Sequence, residues 1–270
     1  MTITSTANER VKLVRSLTQA TARQRERAFV IEGVRLVEEA LQAGLRPRLA
    51  LVDPEHLSQT ERGAALLALL RASQPLKSLL DVTEAVLTSV ADTVTPQGVV
   101  AVLSLPEPAQ NAPGGLLLLV LDGLRDPGNI GTILRVAEAS GAVETVVLVG
   151  CADVYAPKVL RSAMGAHFRL RLVAGATWRE LPANATAEIS HRPVWLATMT
   201  GGTTYDDVNW SVDSALVIGG EAAGAGGESR GAATGLVSIP MPGRAESLNA
   251  AMATSILLFE VARQRRATRS

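Results

Sequence analysis

The chain has 270 residues, with 26 Lys and Arg balanced by 26 Asp and Glu, and 47% hydrophobic residues supply enough apolar mass for a sizeable core. One cysteine, Cys151, excludes an internal disulfide and a cysteine-based zinc site, and His56, His167 and His191 show no metal-ligand spacing, so no metal is expected. Aromatics make up 3%, which argues against an RNA-stacking surface built from many Phe and Tyr residues. No apolar run reaches the roughly 18 residues that span a bilayer, and no hydrophobic leader opens the chain, so a cytoplasmic protein without a membrane partner is expected.

In chain order, Asn8 is placed to cap a helix with Val11, Val14 and Leu17 facing inward and Lys12 and Arg15 facing out. A basic cluster follows, Arg23, Arg25 and Arg27, and then a short strand over Phe29–Ile31. Glu32-Gly33 turns into a helix that ends at Gly44, a C-terminal cap. "RLALVD" reads as a strand, Gly63 to Arg71 as helical, Leu79-Leu80 as a strand, Thr83 to Val90 as a helix and "GVVAVLSL" as a final strand. The alternation predicts a small α/β domain over 1–105. "PEPAQNAPGG", 106–115, has no periodicity and reads as a linker.

The second domain, 116–270, opens with "LLLLVLD", an apolar run suited to a central parallel strand. "NIGTILRVAEASG" is helical, with Ile130, Ile133, Leu134 and Ala137 on one stripe and Gly141 at its end. Strands are expected at "TVVLVG", "PVWLAT", "ALVIGG" and "LVSIP". The last helix carries two apolar stripes. Leu248, Met252, Ile256 and Phe259 form one, and Leu257, Leu258 and Val261 the other. One suits its own sheet and the second suits a subunit interface.

Ligands of open parallel sheets bind beyond the carboxyl ends of the strands. Three loops follow such ends. The first holds Asp122 to Asn129, with Asn129 where a helix cap would sit and Arg135 six positions on. The second is the glycine-rich "GGEAAGAGG" from Gly219, which lacks both the Gly-Lys-Ser/Thr ending and the GxGxxG order of the common phosphate-binding loops. The third, "IPMPGRAESLN", is stiffened by Pro240 and Pro242 and ends in Ser247-Leu248-Asn249. Ser247 can serve simply as an N-cap.

Together, "LDGLRDPGNIGTILRVAEASG", "LVIGGEAAG" and "IPMPGRAESLNAAMATSILLFE" resemble the three motifs of the SpoU/TrmH-type RNA ribose methyltransferases of the SPOUT superfamily. "FVIEGVRLVEEALQAG" resembles that family's small ribosomal-protein-like RNA-binding domain. The resemblance implies an α/β trefoil-knot domain with a parallel sheet, a homodimer, and S-adenosylmethionine held by the knotted loops. It implies cofactor contacts at Thr198, Gly219, Ile239, Met241 and Leu248, and catalytic positions at Asn129, Arg135, Glu221, Ser247 and Asn249. The reaction implied is methyl transfer to a ribose 2′-hydroxyl. An arginine is a poor general base, because its guanidinium gives up a proton only with great reluctance, so Arg135 is expected to orient phosphate and stabilise the forming alkoxide. Where the family's second motif reads Gly-Asn-Glu-Gly, this chain has Gly219-Gly220-Glu221-Ala222. Structured RNA is the expected partner, ribosomal rather than transfer RNA, with Arg23, Arg25 and Arg27 as phosphate contacts. The alternatives are a base methyltransferase of the same superfamily, and a non-catalytic RNA-binding or assembly protein that keeps the fold.

Overall fold

The computed structural model describes residues 2–73, 77–106, 117–175, 178, 192–221 and 223–268. The linker expected over 106–115 therefore lies almost wholly outside the described residues. Two compact units emerge. One comprises Met1–Glu107 with Tyr155–Phe168, the other Pro108–Val154 with Arg169–Ser270. A division of the sequence at one linker does not contain this excursion. Leu160 is buried in the core of the first unit, and Tyr155 and Phe168 pack against that core. The segment is short and only partly apolar, so nothing local announces which core receives it.

The first unit runs α1 (Glu9–Ser16), α2 (Ala20–Glu26), β1 (Ala28–Glu32), α3 (Val34–Gln42), β2 (Leu49–Val52), α4 (Pro54–Leu57), α5 (Glu61–Ser73), β3 (Leu79–Asp81), α6 (Glu84–Thr88) and β4 (Val99–Ser104). Its sheet has the order β1-β4-β2-β3, with β4 antiparallel to both neighbours and β2 parallel to β3. Side chains alternate across β4. Val99, Ala101 and Leu103 enter one core, Val100 and Val102 the other. Both faces are covered by helices, which explains why the strand is apolar at nearly every position. Asn8 caps α1 by accepting a 2.9 Å bond from the Arg10 amide.

Several cations of the basic amino-terminal stretch are used inside this unit. Arg23 is 4% exposed and donates to the carbonyls of Leu17 and Thr18 at 2.7 and 2.8 Å. The expectation that Arg23 meets RNA is corrected: the guanidinium satisfies carbonyls left open where α1 ends, and it is buried there. Arg15 donates to Ser89, and Lys12 pairs with Glu9. Arg25 and Arg27 are exposed, Arg25 beside Glu26.

The second unit contains β5 (Leu117–Asp122), α7 (Pro127–Ser140), β6 (Val143–Val149), β7 (Arg171–Ala174), β8 (Val194–Thr198), β9 (Thr203–Thr204), β10 (Ser214–Gly219), α9 (Gly227–Ala232), β11 (Gly235–Ser238) and α10 (Ala250–Ala267). The helix α8 (Pro157–Ala163) belongs to the excursion. Seven strands line up as β7-β6-β5-β10-β8-β11-β9, every pairing parallel. Strand β10 thus lies between β5 and β8, although both precede it in the chain. Leu118, Val120, Ala215 and Val217 build one core cluster, while Leu117, Leu119, Leu121 and Leu216 are fully buried at the alternate positions.

Of the two stripes on α10, Leu257, Leu258 and Val261 are buried against their own unit. The other stripe stays exposed: Met252 at 62%, Phe259 at 50%, Ile256 at 37% and Leu248 at 36%. Arg265 is buried and donates to the carbonyls of Trp210 and Ala142, each at 2.9 Å. Gln264 accepts from the Trp210 amide and donates to the Val208 carbonyl and to Glu260.

Glu260, largely buried, accepts two 2.7 Å bonds from Arg263, and these hold its carboxyl below the usual range. A carboxyl whose value is lower in the folded state stabilises fully above its unfolded value and loses that contribution as pH falls through the folded one. The stability difference between the natural chain and Glu260→Gln should therefore shrink as pH drops below about 4.3, as urea unfolding at stepped pH would show.

Candidate active site

A cleft of about 630 Å³ opens at the carboxyl ends of β8, β10 and β11 and at the start of α10. That volume lies in the range of small-molecule sites. Thr198, Gly219, Ile239, Met241 and Leu248, the five expected cofactor contacts, all line it. So do Glu221, Ser247 and Asn249.

The glycine-rich loop takes its shape from backbone packing. Gly220 and Gly224 exchange reciprocal backbone bonds of 3.2 and 2.9 Å, which puts Glu221 at the tip. A Cβ on Gly220 would lie 2.5 Å from the Gly123 carbonyl oxygen, so the first and second loops approach as closely as bare backbone permits. The substitution Gly220 at a position where the family has Asn fits this approach. Ala222 lies outside the described residues.

The expected capping roles are reassigned. Asp126 is the N-cap of α7, accepting from the Asn129 amide at 2.7 Å. Asn249 is the N-cap of α10, accepting from the Ala251 and Met252 amides at 2.9 and 3.3 Å. Asn129 and Ser247 are thereby released for other work. Asn129 donates to Glu221 at 2.7 Å and accepts from the Asn249 side-chain amide at 2.9 Å. Residues 120 positions apart in sequence thus join in one chain, from the amino end of α10 through two carboxamides to a carboxylate. The order of donors is fixed at both ends. The helix amides require an acceptor from Asn249, and the Glu221 carboxylate requires a donor from Asn129.

Asp122, absent from the expected site residues, holds this arrangement in place. It is 8% exposed and accepts from the Gly226 amide at 2.6 Å and from the Ser229 hydroxyl. Trp178 donates to the same hydroxyl at 2.7 Å. An acidic residue closing an otherwise uniformly apolar strand was the available signal. Arg135 is exposed and does not line the cleft. It lies six positions beyond Asn129, about 9 Å along the axis of α7.

The donor set suits S-adenosylmethionine. Apolar Ile239, Met241 and Leu248 can flank a flat ring, backbone groups at Gly219 and beyond offer polar contacts, and the charged groups are few. Among the described residues no group of three metal-ligating side chains occurs.

Comparison with known proteins places these features. Residues 116–259 match the family described as "SpoU rRNA Methylase family", and residues 8–101 match an "MRM3-like substrate binding domain". The chain is 31% identical over 262 residues to the 23S rRNA (guanosine(2553)-2′-O)-methyltransferase RlmP of Bacillus subtilis, covering 96% of this chain and 98% of that protein. The AdoMet-bound rRNA methyltransferase of Sinorhizobium meliloti superposes with a TM-score of 0.81 at 31% identity, covering 97% of each chain. The SpoU methyltransferase AviRb of Streptomyces viridochromogenes, in complex with AdoMet, gives 0.82 at 30% identity, covering 96% of this chain and 100% of the other.

Asp122→Ala leaves the Gly226 amide and Ser229 hydroxyl without their acceptor. Stability should fall by roughly 2–3 kcal/mol, with weaker S-adenosylmethionine binding in titration calorimetry, and Asp122→Asn should lose less of both.

Proposed function

The chain belongs to the SpoU rRNA methylase family, and on that premise we propose how its residues carry out the transfer. It is an S-adenosylmethionine-dependent methyltransferase acting on ribose 2′-hydroxyls of RNA, with ribosomal RNA favoured over transfer RNA. The observation that carries the assignment of roles is the Glu221–Asn129–Asn249 chain, which brings all three motifs to the rim of one cleft.

S-adenosylmethionine, when bound, supplies an already activated methyl group. Thr198, Gly219, Ile239, Met241 and Leu248 would hold it, the apolar side chains around the adenine and the backbone on its polar edges. The work left to the protein is orientation of the ribose and stabilisation of its oxygen as the proton leaves. Asn129 and Asn249, locked by their partners, and Ser247 orient the substrate and the loops. Arg135, on the exposed face of α7, meets the RNA phosphate and stabilises the forming alkoxide through its planar fork of donors. Arg25 and Arg27 contribute phosphate contacts from the first unit.

The homodimer follows from α10. A stripe of Leu248, Met252, Ile256 and Phe259 exposed in one chain is an unusual expense of apolar surface, and a second copy would cover it. The stripe begins at Leu248, so the interface adjoins the cleft. The family's trefoil knot is part of this reading; the insertion of β10 between β5 and β8, which both precede it in the chain, is compatible with it. Among the described residues no helix is long and apolar enough to cross a membrane, and the reaction is assigned to the cytoplasm.

Incubation with S-adenosylmethionine and unmodified ribosomal or transfer RNA, followed by nucleoside mass spectrometry, should yield a 2′-O-methylated nucleoside from ribosomal RNA. Arg135→Ala should reduce turnover by about 100-fold or more while RNA binding persists. A methylated base would point to the alternative chemistry, and cofactor binding without any methylation to an assembly role. Met252→Asp with Phe259→Asp should convert a dimer to a monomer in sedimentation analysis.

A further inference from the structure

Of the residues that line the cleft, two are charged: Glu221 and Arg230. Glu221 is engaged by Asn129. Arg230 is a different case. It lies on α9, whose start is pinned by the bonds of Gly226 and Ser229 to Asp122. Its guanidinium donates one bond, from Nη2 to the Ala223 carbonyl at 3.0 Å, among the described residues. A guanidinium has five N–H donors in a planar fork, so most of this one's capacity remains open. Among the described residues it forms no ion pair with an acidic side chain.

S-adenosylmethionine carries one anionic group, the carboxylate of its amino-acid end, and two cationic centres. A largely apolar cleft with one fixed cation discriminates strongly for where that carboxylate lies, since charge-assisted bonds between guanidinium and carboxylate are the strongest the cleft can offer. We propose that Arg230 is the cofactor-carboxylate residue of this site, setting the direction in which the amino-acid end lies and thereby which end of the cleft receives the methyl-bearing sulfur. The proposal rests on the cofactor site assigned above and adds to it a residue that the three motifs do not include. The bond to Ala223 serves the same end, since it fixes the fork against the glycine-rich loop before ligand arrives and lowers the ordering cost of binding.

The test is calorimetric binding of two probes to the full chain. S-adenosylhomocysteine carries the carboxylate, and methylthioadenosine shares the adenosine and thioether but lacks the amino-acid end. Arg230→Gln, which keeps a donor for the Ala223 carbonyl, should weaken S-adenosylhomocysteine by about tenfold and leave methylthioadenosine within about twofold, with Arg230→Lys in between. Equal losses for both probes would mean that Arg230 only supports the loop, and unchanged affinity for both would mean that it faces RNA or solvent. Either result overturns the proposal while leaving the cleft assignment intact. Failure of the unsubstituted protein to bind either probe would instead remove the cleft assignment, and this inference with it.

Discussion

The carboxylate of Asp122 is the constraint on which the cleft depends. It ends the central strand β5, in register with Gly219 at the end of β10, and reaches across to Gly226 and Ser229. A buried carboxylate is costly unless it accepts hydrogen bonds, and here the Gly226 amide and the Ser229 hydroxyl both donate to Oδ2. One side chain thereby secures the far end of the glycine-rich loop, while bare backbone contact between Gly220 and Gly123 secures its near end. Between these two anchors Glu221 is held out towards Asn129. Arg230 inherits its position from the same anchor.

The carboxamide chain then gives the cleft a direction. The amino end of α10 presents unpaired amides with positive partial charge. Asn249 receives two of them and passes donor character through Asn129 to a carboxylate. Neither amide can flip without leaving a donor facing a donor. Orientation is therefore decided before substrate arrives, which is the condition under which positioned dipoles act on a developing charge at little reorganisation cost. A methyl transfer whose donor is already activated gains most from this kind of fixed geometry.

Arginine shows how little a residue type says by itself. Arg23 and Arg265 lie buried against carbonyls, Arg263 is bound to Glu260, Arg135 and Arg25 face outward, and Arg230 looks into the cleft. Clustering in the sequence suggested phosphate contacts for the first of these. Its actual role follows from α2, a short helix that turns the chain so that Arg23 returns to the end of α1. Local charge density carried no trace of that return. The same applies to Tyr155–Phe168, which belongs to the first unit although the chain on either side of it belongs to the second.

The sequence by itself determined the elements and the motif loops. Periodicity placed β4, β5, α7 and the two stripes of α10, because side-chain alternation and the helical repeat are properties of consecutive residues. It also placed the cleft-lining loops, since strand ends and Gly-Pro punctuation are local. Tertiary structure alone decided which polar groups meet. Capping passed from Asn129 and Ser247 to Asp126 and Asn249, Asp122 became an anchor, and Arg230 entered the cleft. Each of these outcomes depends on a partner close in sequence whose geometry must be built, or on one some hundred residues away. Hydrogen bonds are directional and short, so their pairing is settled only when the parallel sheet has brought its carboxyl ends together.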